Sequence, residues 1–492
     1  MTFLFALYWI AIGALFIYGI NCYFLLFTFW RNKNSKIREI AQQAPLTSFP
    51  KVTVQLPIFN ERYVVRRLIQ AVSAFDYPAS QLEIQVLDDS TDDTSEIIQD
   101  VLNEMGETPY RIVHIQRKKR IGFKAGALEE GLKQASGELI AIFDADFCPE
   151  PNFLKQTLPF FTDTKLAFVQ ARWDHLNRDH SILTKCQALA IDGHFAIEQG
   201  AREWGGYFLN FNGTAGVWRR NAIIDSGGWE HDTLTEDLDL SYRAQLRGWK
   251  VKYLPNVSVS AELPTSLSAF KSQQRRWAKG SIETALKLLP SVWRSPISMG
   301  KKVQATLHLT HYLIHPLMFL LSLLSFPVLV LWTGPWSPIG TLAALGLIMV
   351  GTLSTSSLYV GSQLFLYRDW YRRVLYIPGL MCLGTGIAIS NSIAVWEALR
   401  KIPTDFVRTP KWNLDSREVI RWNRLRYRLK IGPVIAAEIL LSIYCIFTLV
   451  QVSSSQSFFI SPFLIIYAMG FSFVSLMTMS EAIEVYWSRT ES

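Results

Sequence analysis

Cysteine is scarce. The five in 492 residues, Cys22, Cys148, Cys186, Cys382 and Cys445, are scattered with no CxxC pair and no histidine at ligand spacing. That pattern excludes a disulfide framework and a zinc site. No GxxxxGK[ST] stretch occurs, so the phosphate cradle of an ATP-driven transporter is missing. Gly384-Thr385-Gly386 lacks the third glycine of a dinucleotide loop and sits inside an apolar run. Charged residues are only 18% of the chain against 49% hydrophobic ones, with a mean hydropathy of +0.16. An ordinary soluble enzyme is thereby excluded, and so is a chain that is all membrane: part is globular and part spans a bilayer. The net charge of +8 does not call for nucleic acid, because the excess lies beside apolar runs, where it sets membrane orientation. Sequons at Asn212 and Asn256 fall in the domain expected in the cytosol, which argues against glycosylation.

What is present begins with residues 3–30, almost uninterrupted apolar and aromatic. At about 1.5 Å per residue this run crosses a hydrocarbon core of about 30 Å. No Lys or Arg precedes it, whereas Arg31, Lys33, Lys36 and Arg38 follow. The expectation is a retained anchor over 1–32, its N-terminus outside and the next domain in the cytosol. Further apolar runs cover 304–332, 339–366, 372–398, 431–451 and 457–487. Between the third and fourth, Arg400–Lys430 carries Arg408, Lys411, Arg417, Arg421, Arg424, Arg426, Arg428 and Lys430 against Asp405, Asp415 and Glu418. A loop so basic is expected in the cytosol, yet three full crossings before it would put it outside. Either 372–398, broken by Gly384, Gly386 and Asn391, does not cross, or one of the two longer runs holds a hairpin. The last two runs, joined by the uncharged QVSSSQS, form a hairpin that returns the C-terminus to the cytosol.

From Val52 to about Leu263 short β-rich runs alternate with helix-like ones. VTVQLP, EIQVLD, RIVHIQ and ELIAIFD are each followed by a helix, from Glu61, Asp92, Lys124 and Pro151. The alternation predicts a mainly parallel sheet with helices on both faces, whose ligand lies beyond the carboxyl ends of the strands. VLDDS and IFDAD fall at those ends. Ser266 to Arg294 is amphipathic and basic, the pattern of helices lying on the bilayer surface.

These positions carry chemistry. Asp88 and Asp89 end a strand, where they can accept hydrogen bonds from a nucleotide base and ribose or simply cap the next helix. Lys124 opens a helix after the basic turn Arg117–Arg120, a natural seat for a diphosphate, whereas Lys118 and Lys119 read as solvated. Asp144 and Asp146 are two apart in an extended segment, so both face one side and offer the hard oxygens that Mg²⁺ or Mn²⁺ requires. Thr235-Glu236-Asp237 is either an acid-rich helix start or the seat of a general base, Asp237. Gln273, Arg276 and Trp277 share one helical face, with Trp277 a plate for a sugar ring and the other two partners for a diphosphate and acceptor. Snorkelling arginines are the alternative there, and Arg275 and Lys279 keep that reading.

Through these residues, and through FNGTAGVWRR, TEDLDLSYRAQLRGWK, AELP, QQRRW and FVRTPKW, the chain resembles the membrane-embedded family-2 glycosyltransferases. That group includes cellulose and hyaluronan synthases and ceramide glucosyltransferase, and the likeness is strongest to the cellulose synthase-like A (glucomannan mannosyltransferase) and C branch. The resemblance implies an α/β glycosyltransferase A-type (Rossmann-like) cytosolic domain, 50–264, inserted between transmembrane helices of an α-helical membrane domain. Interfacial helices over 265–302 carry QxxRW, 303–398 holds transmembrane or re-entrant helices, 399–430 a gating loop, and 431–488 a hairpin. Asp237 is implied as catalytic base with Glu236 and Thr235, and Asp88, Asp89, Lys124, Asp144, Gln273, Arg276 and Trp277 as donor-binding. Gly213, Thr214 and Trp277 would meet the acceptor, and Asp144 and Asp146 a Mg²⁺ or Mn²⁺ ion. Phe406, Arg408, Thr409 and Lys411 would gate, although FVRTPK departs from the FxVTxK of cellulose synthases in its middle.

The implied activity is inverting, processive synthesis of a β-linked, 1,4-linked glucan or mannan from a sugar nucleotide, with translocation of the growing polysaccharide. A members use GDP-mannose and C members UDP-glucose, and UDP-glucose is favoured here. The alternative is a lipid glycosyltransferase that adds one sugar to ceramide or diacylglycerol. A transporter or export subunit has no use for the Asp positions. The expected partners are donor, acceptor and lipid bilayer, with no nucleic acid. The setting is a multi-pass protein of the plasma or inner membrane, or of the Golgi in a eukaryote.

Overall fold

The computed structural model describes residues 2–331, 338–404, 407–413, 434–453 and 461–490. Phe406, Asp405, the basic run 414–433 and residues 454–460 lie outside the described residues.

The β-branched runs form strands where their composition demands it: β1 (Val52–Ile58), β2 (Leu82–Asp88), β3 (Arg111–Gln116) and β4 (Leu139–Ile142). They pair in parallel, so the acids after β2 and β4 emerge at one edge of the sheet. Three strands that the sequence pattern did not single out complete it: β5 (Leu166–His175), β6 (Gly216–Arg219) and β7 (Lys250–Ala261). The seven lie in the order β3-β2-β1-β4-β6-β5-β7, and β6 runs antiparallel to both β4 and β5. The mixed sheet is a glycosyltransferase A-type fold.

Alternate residues of a strand face opposite layers. Leu139 and Ala141 of β4 join a core with Val54, Leu68, Ile98 and Phe153, under helices Val65–Ser73 and Thr94–Met105. Ile140 and Ile142 join the other, with Leu128, Phe168, Phe211 and Trp218, under helix Phe123–Gln134. Both faces of β4 are thus apolar, which is why it reads as an unbroken apolar run, whereas β1 and β2 alternate and pair Thr53 with Glu83 and Gln55 with Gln85 in the buried layer.

Five described helices are long and apolar enough to cross a membrane: Thr2–Ala41, His311–Leu329, Leu345–Leu366, Val434–Val452 and Leu464–Glu481. This is a membrane protein. The run 372–398 forms a bent pair, Trp370–Gly386 and Ala388–Leu399, at 45° to one another. The bend falls beside Gly384 and Gly386, where helix propensity is lowest. The first helix continues past the apolar run to Ala41, and Glu39 near its end pairs with Lys252 of β7 at 3.0 Å. A long helix Leu267–Arg294, started by a hydrogen bond from the Ala269 N–H to Ser266 Oγ, lies between the sheet domain and the membrane helices.

Phe168 is fully buried, with the rings of Trp218 and Phe211 at 4.5 and 5.7 Å. Phe168→Ala is expected to cost about 3–5 kcal/mol. The loss would appear as a lower denaturation midpoint of the detergent-solubilised protein.

Candidate active site

A cavity of about 720 Å³ opens along the carboxyl edge of the sheet and gathers side chains from segments far apart in the chain. Asp89, Lys124, Asp144 and Asp146 line it from the sheet domain, Thr235, Glu236 and Asp237 from the start of helix Glu236–Leu246, and Gln273, Arg276 and Trp277 from helix Leu267–Arg294. The two readings of TED merge: Glu236 and Asp237 occupy a helix first turn, where the dipole favours acids, and the same carboxylates face the cavity. Thr235 makes no side-chain cap. Its hydroxyl lies 3.2 Å from that of Thr284 on helix Leu267–Arg294. Gly280 of that helix sits directly against it, since a Cβ there would be 2.6 Å from Thr235 Cγ2. Only glycine lets the two backbones approach so closely, and the approach sets QxxRW beside the acids.

Lys124 donates to Asp144 Oδ1 and, at 3.0 Å, to the carbonyl of Gly213. Gly213 has φ +79°, and a Cβ on it would stand 3.0 Å from Asp237 Oδ2 and 3.2 Å from Lys124 Nζ. A side chain here would be strained and would press on the Asp237 carboxylate. Burial, reinforced by repulsion from Glu236, pushes the Asp237 carboxyl up to about 7 against the pull of Lys124. Burial raises Glu236 as well. For Lys124 burial opposes the charge, but Asp144 and Glu236 outweigh it and raise the ammonium. Burial lowers Arg276, with Glu236, Asp144 and Asp237 holding it charged. A carboxylate poised near neutrality suits general-base work.

Two expected contacts fall elsewhere. Asp88 is buried and does not line the cavity; its carboxylate accepts from the Ser90 N–H (2.9 Å), the Ser95 hydroxyl (2.5 Å) and Gln116 Nε2 (3.2 Å), with His114 Nε2 at 3.0 Å. Burial disfavours its charge, yet these bonds hold it well below the ordinary carboxylate range. It ties β2 to β3 and to the following helix, while Asp89, next in the chain, turns to the cavity and is forked by Arg117. Thr214 is also buried off the cavity, and its hydroxyl accepts the Asp144 N–H at 2.8 Å. It positions Asp144, while Asn212 faces the cavity in its stead, held by Gln199 and His194.

Asp146 Oδ2 accepts the Glu262 N–H at 3.1 Å and Lys411 Nζ at 2.6 Å. Each carboxylate of the DxD pair therefore already carries a cationic partner, and as hard oxygen donors at one edge the two fit a divalent ion. Arg408, Thr409 and Lys411 line the cavity, and Arg408 pairs with Glu61 at 2.7 Å. Glu262 had no assigned role in the sequence, although AELP was noted. It accepts from Arg67 (2.7 Å) and from the Trp412 N–H (3.0 Å), which seats the strap 407–413 on the sheet domain. Arg120 was passed over with its basic turn; it lines the cavity with its guanidinium 3.3 Å from the Phe59 ring centre. The other acidic cluster, Glu230, Asp232 and Asp239, is met by Lys287 and Arg243 and forms an ion-pair network.

An A-type sheet with DxD at one strand end, a buried carboxylate at a helix start and QxxRW facing both is the arrangement that the resemblance of the sequence implied for a glycosyltransferase domain. Residues 50–280 match the family model described as Glycosyltransferase like family 2, and the chain carries a family-2 glycosyltransferase domain. Among curated proteins it is similar to glucomannan 4-beta-mannosyltransferase 1 of Oryza sativa subsp. japonica, 42% identical over 263 residues, 52% of this chain and 50% of the relative. Glucomannan 4-beta-mannosyltransferase 2 of Arabidopsis thaliana is likewise 42% identical, over 285 residues, 56% of this chain and 53% of the relative. The chain spans about half the length of these curated relatives. Among solved structures, a mannosyltransferase from Pyrobaculum calidifontis, in complex with GDP-Man and Mn²⁺, aligns over 79% of this chain and 100% of its own at 19% identity and a TM-score of 0.47.

With Asp237 as the proposed base, active only when ionised, transfer at saturating donor is expected to fall as pH drops through about 7 and to level off above it, as a pH–rate profile would record. Gly280→Val should push Thr235 and QxxRW apart, lowering transfer roughly 100-fold in steady-state assays.

Proposed function

We propose that the protein is an inverting, processive 4-β-mannosyltransferase that elongates a β-1,4-linked mannan or glucomannan from GDP-mannose and passes it through its own membrane helices. The observation that carries this reading is the continuity of the cavity. From Asp237 and Trp277 it runs on past His308, Tyr312 and Met318 to Leu329, Leu347 and Leu464 of the membrane helices. A polymer that stays bound between additions needs such a passage. The names of the curated relatives favour mannose, so GDP-mannose takes the place of the UDP-glucose preferred from the sequence alone.

In this reading the acceptor's terminal hydroxyl lies between Asp237 and the anomeric carbon of the donor. Asp237 takes the hydroxyl proton as the oxygen attacks, the bond from the anomeric carbon to the diphosphate breaks on the opposite face, and an α-linked donor becomes a β-linked product. Lys124 and Arg276 oppose the negative charge gathering on the leaving group, with Gln273 beside them. Trp277 stacks under the acceptor ring. Arg408, Thr409 and Lys411 cover the donor end against water. A divalent ion held by Asp144 and Asp146 would add positive charge against the departing diphosphate. The basic segments after the first helix and around 400–430 favour a donor side in the cytosol.

The test is to supply labelled GDP-mannose and UDP-glucose to membranes carrying the protein. Long products at early times, cut by an endo-β-1,4-mannanase, are expected from GDP-mannose. Asp237→Asn should abolish them while nucleotide binding persists. Label that enters an organic-soluble monoglycosyl lipid would establish the lipid transferase instead.

A further inference from the structure

We propose that three acids of the membrane helices, Glu397, Glu438 and Glu481, are positioning residues for Gln273, Arg276 and Trp277. Each stands on a different helix: Glu397 on Ala388–Leu399, Glu438 on Val434–Ser453 and Glu481 on Ser461–Thr490. All three meet the first turns of helix Leu267–Arg294. Glu481 accepts the N–H groups of Leu267 and Ser268 and the Ser268 hydroxyl. Lys271 donates to Glu438 at 2.5 Å, and Arg275 to Glu397 at 2.6 Å.

Residues 268, 271 and 275 follow the i, i+3, i+7 spacing of a single helical stripe. At about 100° per residue, Gln273 and Trp277 fall on the opposite side of the same turns and Arg276 on the flank next to them. The stripe therefore grips the back of the segment whose front lines the cavity. Apolar packing and the Gly280–Thr235 contact locate the helix, but apolar contacts are non-directional and constrain its rotation less than charged bonds do. Charge-assisted bonds to three separate helices fix both its rotation and its register. Ionisable groups in membrane helices are costly unless paired, and Glu438 is fully buried with its Oε2 lacking a hydrogen bond, so Lys271 compensates its charge. A roll of this helix would carry Arg276 and Trp277 off the reacting atoms, where a displacement near 1 Å already matters.

The proposal rests on the glycosyl-transfer reading for its main readout, turnover of the donor by the full-length protein in detergent. Lys271→Glu and Glu438→Lys should each lower turnover by about tenfold or more and raise the donor KM, and the double swap should recover most of both. Glu397→Gln keeps the packing and is expected to raise donor KM without moving the melting midpoint. Wild-type kinetics in Lys271→Glu or Glu397→Gln would overturn the proposal. So would a double swap that melts like wild type and stays as slow as the single variants. If the single charge reversals do not fold, Glu397→Gln alone decides. Wild-type silence toward every sugar nucleotide would overturn the proposed function instead, and the positioning would then be read from GDP affinity, which Glu397→Gln should weaken.

Discussion

The ammonium of Lys124, held between Asp144 and the Gly213 carbonyl, is the interaction on which the site depends. Around it Glu236 and Asp237 are also drawn out of water, and like charges so placed repel unless cations stand among them. One cation, Lys124, comes from the sheet domain; another, Arg276, comes from the helix that bridges to the membrane. A third, Lys411, arrives from a strap that follows the bent helix pair and closes on Asp146. The charge of the acids is met by cations from the sheet, the bridging helix and the strap together.

That coupling explains the position of helix Leu267–Arg294. Its Gly280 lies flush with Thr235, two residues before Asp237, and another stripe of it is bound by acids from three membrane helices. The helix transmits the geometry of the membrane bundle to the catalytic edge of the sheet. The cavity that starts at the acidic edge of the sheet and continues between the membrane helices is the space left by this three-way packing.

The positions that lie apart from the cavity, Asp88 and Thr214, share a cause. Asp88 and Asp89 are neighbours, but alternation along an extended chain sends one to a buried network with His114 and Gln116 and the other to the cavity. Thr214 seemed a sugar contact beside Gly213, yet it fastens Asp144 through that residue's backbone. Glu262 and Arg120 were visible in motifs without a role, because their meaning lies in partners far along the chain: Arg67 and Trp412 for one, Phe59 for the other.

The sequence by itself determined what depends on near neighbours: the four parallel strands with acids at their ends, the acid-rich helix start at Glu236, the common face of Gln273, Arg276 and Trp277, and the apolar runs, including the one weakened by Gly384 and Gly386. These follow from side-chain period, helix propensity and hydropathy, which act over a few residues. Only the tertiary structure decided that β6 would insert antiparallel between β4 and β5, that Lys411 would rest on Asp146 across 265 residues, and that Lys271 would find Glu438 across 167. Such pairings arise because a desolvated charge takes whichever opposite charge the packed backbone brings within reach, and local pattern does not encode that reach.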